Sequence, residues 1–146
     1  MSLIVGQNSW CTISEADEYL TTRMNASNWF SLNDEPANPG EDSKETFLIS
    51  AFNWLLNSSG VSLSITLTDY NVKKAQIEAG LFLLHYGKEL EDRRSAIFTG
   101  VKSFRFSNRS ETLDIYNLRL PFHIINLLSD YNTVNTTVLL KGEYDE

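Results

Sequence analysis

The chain has 146 residues, with 12 Lys+Arg against 19 Asp+Glu, a formal net charge of −7, and 42 % hydrophobic and 12 % aromatic residues. That length fits one domain with one modest core, and the composition fits a folded chain and not a disordered one. The negative balance argues against a protein that coats nucleic acid with its whole surface, because such binding relies on Lys and Arg to displace counterions.

In chain order, Leu3-Ile4-Val5 reads as a short extended lead. A helix is expected after Ser14, where Ser14 and Asp17 have capping-box spacing. Ala16, Tyr19, Leu20 and Met24 fall on one helical face. Asn25 to Asn28 reads as a stop, with Trp29 and Phe30 beyond it. The loop from Ser31 to Asp42 carries Pro36, Pro39 and Gly40, four acids and no base.

A second helix is predicted over 43–56, with Asp42 and Glu45 as cap residues. Its apolar stripe is Phe47, Leu48, Ala51, Phe52 and Leu55. Val61, Leu63, Ile65 and Leu67 then alternate with polar residues, which predicts a short extended segment. The third helix starts after Thr68 or Asp69 and runs to about Leu90. Val72, Ala75, Gln76, Ala79, Phe82, Leu83 and Tyr86 recur at spacings of three and four, and Ile77, Leu81 and Leu84 widen the arc. So wide an arc predicts a central helix, or one that also faces another subunit. Gly80 inside it costs roughly 1 kcal/mol relative to Ala, a cost often accepted for close helix approach.

Val101 to Ser107 and Glu111 to Tyr116 read as a β-hairpin, with Asn108-Arg109-Ser110 as the turn. A fourth helix is predicted from Pro121, at the first helical position, to about Tyr131. Phe122, Ile125, Leu128 and Ile124 are its core candidates. The tail from 132 to 146 contains the β-prone run Thr136-Thr137-Val138-Leu139-Leu140, which has no partner strand beside it in sequence. The expected fold is therefore mainly α. It is a small bundle of about four helices over 1–131, with an inserted hairpin at about 101–116 and an extended C-terminal tail over 132–146.

Charge is unevenly spread. Residues 1–60 hold Arg23 and Lys44 against eight acids, whereas residues 61–110 hold eight bases against five acids. Residues 111–146 hold Arg119 and Lys141 against six acids. Six bases lie between Lys88 and Arg109, a basic strip on an acidic body. Such a strip marks either a local partner surface or a solvated edge that resists aggregation.

Chemistry is sparse. One cysteine, Cys11, excludes an internal disulfide framework and cannot by itself build a cysteine-based zinc site. His85 and His123 have no second ligand at metal-binding spacing and read as packing or surface residues. The seven glycines are scattered and form no phosphate loop. Glu15, Asp17 and Glu18 read as the acidic first turn of a helix. No catalytic set can be assembled, so no enzyme, cofactor or metal is expected. Asn25, Asn57, Asn108 and Asn135 open glycosylation-type triplets. The start of the chain does not read as a signal peptide, so these triplets read as loop sequence. No apolar run approaches the roughly 18 residues that a membrane span needs. What stands out is Lys102, Phe104, Arg105, Phe106 and Arg109. Bases interleaved with aromatics suit either a protein interface or stacking on single-stranded nucleic acid.

The order of features resembles a known family. The opening Met1-Ser2-Leu3-Ile4-Val5 is followed by Ser14-Glu15-Ala16-Asp17-Glu18-Tyr19-Leu20, Arg23 and Trp29. Then come Lys44-Glu45-Thr46-Phe47-Leu48-Ile49-Ser50-Ala51 and Val72-Lys73-Lys74-Ala75-Gln76-Ile77-Glu78-Ala79. Val101-Lys102-Ser103 and Leu120-Pro121 complete the series. Over residues 1–131 this resembles the head–tail adaptor (connector) proteins of tailed bacteriophages. Within them it resembles the group labelled DnaT-like single-stranded-DNA-binding. Many relatives carry a Trp-Pro-Arg-type segment where this chain has Ser59-Gly60-Val61-Ser62-Leu63. The Ser31 to Asp42 loop looks like an insertion.

The resemblance implies a structural protein of the virion neck, made in the bacterial cytoplasm. It implies a homo-oligomeric ring, commonly of about twelve copies, built by head-to-tail contacts. Its partners would be the portal protein, a tail or stopper protein, and double-stranded DNA passing through without specific binding. No membrane partner is implied. By the same resemblance, portal contact falls to the tail residues Thr136, Thr137, Val138, Leu139, Leu140 and Tyr144. Lys102, Phe104, Arg105, Phe106 and Arg109 would contact a neighbour or a tail protein. The alternatives are a single-stranded-DNA-binding replication accessory and a tail-completion or stopper subunit.

Overall fold

The computed structural model describes residues 2–58, 60–98, 103–106, 109–112 and 120–132, with the backbone alone described at 96–98, 103–106 and 109–112. The fold is mainly α. Its helices are α1 (Ile13–Leu20), α2 (Ser27–Phe30), α3 (Lys44–Leu56), α4 (Tyr70–Phe98) and α5 (Phe122–Leu127), followed by a 3-10 turn at Ser129–Tyr131.

Helix α1 is capped by Thr12, two residues before the expected Ser14. Thr12 Oγ1 accepts from Glu15 N at 3.0 Å, and Glu15 Oε1 accepts from Thr12 N at 2.8 Å. The Thr-x-x-Glu pair satisfies two exposed amides reciprocally, and a Ser14–Asp17 box would do no better. Asp17 instead serves tertiary contacts, described below. The helix ends at Leu20, so Met24 is not on its buried face and is 76 % exposed. Asn25, at φ 64°, turns the chain in the left-handed region that Asn tolerates. Where only a stop was expected, the one-turn α2 follows and buries Trp29.

Ser43, not Asp42, caps α3: its backbone is extended and its Oγ accepts from Thr46 N at 3.1 Å. Leu48, Ala51, Phe52 and Leu55 are buried as the stripe predicts, while Phe47 is half-buried. The alternating segment after α3 is not a strand. It makes one isolated bridge, Val61 to Asn132, and turns at 65–66. Its alternation still reflects burial, because Val61, Leu63 and Leu67 pack on the core and Ile65 faces out.

Helix α4 is 29 residues long and runs past the expected end near Leu90. It lies between two apolar clusters, which accounts for its wide arc. Val72, Ala75 and Ala79 join Trp10, Ala51, Phe52, Leu55, Ile124 and Leu128 on one side. On the other side, Ile77 and Leu81 join Cys11, Ala16, Leu20, Trp29 and Leu48. At Gly80 the α4 backbone faces α3 with room for a methyl group, so the glycine is not required by close approach. An added Cβ would lie 3.6 Å from Leu48 Cδ2 and 3.6 Å from the Phe47 carbonyl oxygen.

Between α4 and α5, β1 (Ser103–Phe106) pairs antiparallel with β2 (Arg109–Thr112). The register sets Ser103 against Thr112 and Phe106 against Arg109. Among the described residues the pairing covers four residues a side and places Arg109 in a strand, not in the turn. The longer hairpin expected over 101–116 is not supported. A lone pair of strands contributes little independent stability.

Pro121 is the N-cap of α5, one position earlier than expected. Ile124 and Leu128 are buried one turn apart, and Phe122 is 76 % exposed. Phe122 lies about 200° around the helix from Ile124, so both cannot face α4. The helix stops at Leu127, short of the expected Tyr131, and the 3-10 turn brings Tyr131 to Asp69, its hydroxyl donating to Asp69 Oδ2 at 3.0 Å. The Tyr131 carbonyl accepts from Ser62 N at 2.9 Å, tying this turn to the segment after α3.

Candidate functional site

The most concentrated polar chemistry lies where the end of α1, the middle of α4 and the start of α5 meet. Glu78 sits between Ile77 and Ala79 on the buried side of α4, and its side chain is only 5 % exposed. Three partners reach it. Arg23 forms a fork, with Nε 2.8 Å from Glu78 Oε2 and Nη2 2.9 Å from Oε1. Tyr19 donates its hydroxyl to Oε2 at 2.7 Å. His123 Nε2 lies 3.4 Å from Oε1. A bidentate Arg–carboxylate pair is among the stronger polar contacts in a protein.

Burial pushes the Glu78 pKa up, but the hydrogen bonds from Arg23 and Tyr19 outweigh it and hold the carboxyl below its ordinary range. Burial and the bond to Glu78 push the Tyr19 phenol up. Every carboxylate oxygen is thus engaged, and the cluster acts as a brace joining three elements.

Beside the brace, an open groove of about 550 Å³ runs between α1 and α4, lined by Glu15, Glu18, Tyr19, Arg23, Tyr70 and Lys73 among others. Lys73 Nζ lies 2.9 Å from Glu15 Oε2. That bond is the main reason the Glu15 carboxyl titrates below its usual range.

Two further polar groups are buried for structural reasons. Gln76 donates through Nε2 to the Leu48 carbonyl at 2.8 Å and to Ser9 Oγ at 2.9 Å, and its Oε1 accepts from Trp10 N at 2.8 Å. Lys44 lies 3.0 Å from Asp17 Oδ1 and 3.4 Å from Asp34 Oδ1. Its ammonium also lies 5.4 Å from the Phe30 ring centre and 5.9 Å from that of Trp29. Trp29 Nε1 donates to Asp17 Oδ1 at 2.8 Å, so Asp17 links α1 to both α2 and α3.

Burial raises the Cys11 thiol to a pKa of about 12, which leaves little of the reactive thiolate. Among the described residues, no group of His, Cys, Asp and Glu is placed to hold a metal ion.

Of the contact residues predicted from sequence, Phe104, Arg105, Phe106 and Arg109 lie on the short β-ladder, where the backbone alone is described. Lys102 and the tail residues Thr136, Thr137, Val138, Leu139, Leu140 and Tyr144 lie outside the described residues. His123, read as a packing or surface residue, is a half-exposed partner of Glu78. His85 is half-buried, its ring edge-on to Tyr86 at 6.0 Å. The Glu78 brace is absent from the expectations drawn from sequence. Its signal was a lone acid inside the apolar arc of the central helix.

Several large apolar side chains remain exposed near this region, including Met24, Tyr70 and Phe122. Comparison of the chain with protein-family models, curated proteins and solved structures found no match.

Proposed function

We propose that this chain is a head–tail adaptor of a tailed bacteriophage. In this reading it forms a ring under the portal, extends the DNA channel and docks the tail. The order of motifs from Ser14-Glu15-Ala16-Asp17 through Lys44-Glu45 and Val72-Lys73-Lys74-Ala75-Gln76 to Leu120-Pro121 carries the proposal. The net charge of −7 suits a surface past which DNA slides without sticking. Mass photometry and electron microscopy of the purified chain, alone and with portal protein, test the proposal. Rings or portal-bound complexes are expected, and a strict monomer that never binds portal overturns it.

A second reading, a single-stranded-DNA-binding replication accessory, draws on one feature, the aromatic and basic run Lys102, Phe104, Arg105, Phe106 and Arg109. Fluorescence anisotropy with single-stranded DNA at physiological salt separates the two. The adaptor reading expects weak binding, little changed in the Arg105→Ala/Arg109→Ala double variant. Tight binding lost in that variant favours the accessory.

A further inference from the structure

We draw no further inference here: the strongest candidate, the exposed apolar pair Met24 and Phe122 flanking the Arg23–Glu78–His123 cluster between the end of α1 and the start of α5, is an unpartnered surface, and nothing in the structure shows what covers it.

Discussion

At the scale of single residues, the buried polar groups are the most exposed to substitution, because each is satisfied by several partners at once. Replacing Gln76 with Leu keeps its bulk but strands the Trp10 N–H, while the Leu48 carbonyl loses only the second of its donors and stays bonded within α3. A loss of about 1–3 kcal/mol is expected in urea unfolding, the cost of one stranded buried group. Arg23→Ala leaves Glu78 buried with only Tyr19 and His123 beside it. Breaking a fully buried pair costs about 3–5 kcal/mol, and the partial exposure of Arg23 reduces the expected loss to about 2 kcal/mol at pH 7.

The pH dependence of that loss has a definite sign. The folded carboxyl of Glu78 titrates below its unfolded value, so its contribution is fully present above the ordinary glutamate pKa of about 4.3. That contribution fades as pH falls through the lower folded value. The gap between wild type and Arg23→Ala should therefore close in acid, and urea titrations at pH 7 and in the acid range would show it. A gap that stays constant would mean Arg23 acts through packing alone. Cys11 offers an independent check of burial. Its thiol should resist a disulfide reagent at pH 8 in the folded chain and react fully in denaturant, whereas rapid reaction without denaturant would contradict its placement.

At the scale of elements, α4 sets the architecture. Its small residues, Ala75 and Ala79, allow close packing, while Val72, Ile77 and Leu81 fill the two clusters it separates. A Cβ at Gly80 meets its neighbours at ordinary contact distance, so Gly80→Ala gains helix propensity without a clash. A gain of about 0.5–1 kcal/mol is expected, read as a rise of roughly 2–4 °C in Tm. A fall in Tm would show that α3 and α4 pack more tightly than these distances indicate. The start of α1 behaves in the opposite way. Thr12→Ala removes the hydroxyl that accepts from Glu15 N, and about 1 kcal/mol should be lost.

For the molecule as a whole, the parts are held by long-range ties as much as by helix packing. Trp10 packs against Phe52 with tilted rings whose centres are 4.4 Å apart, and it donates its indole N–H to the Ser64 carbonyl at 2.8 Å. Leu3 N donates to Glu45 Oε2 at 2.9 Å, which seats the N-terminal lead on α3. If the proposed ring forms, its subunits are stabilised by mass action, and Tm should rise with protein concentration. A concentration-independent Tm in samples shown to be monomeric would match a self-sufficient single domain.

Local pattern alone determined the mainly helical class, the position of α3, the start of α4 and its central role. These are consequences of apolar periodicity, which dictates burial wherever a long amphipathic segment must hide one face or two. Cap choice was less legible, because Thr12 and Ser14, or Asp42 and Ser43, are chemically near-equivalent until tertiary contacts recruit one of them. Asp17 shows this, since Trp29 and Lys44 claim it and the cap falls to Thr12. The segment over 61–67 alternates without being a strand, because alternation records which side chains face the core, not whether a partner strand is present. Phe122 is apolar yet exposed, because the core-facing side of this short helix carries Ile124 and Leu128, with Ile125 and Leu127 partly buried beside them. The Glu78 brace was decided by tertiary structure alone. Tyr19, Arg23 and His123 are far from Glu78 in sequence, and only the packing of α1 and α5 on α4 brings their polar atoms to one buried carboxylate.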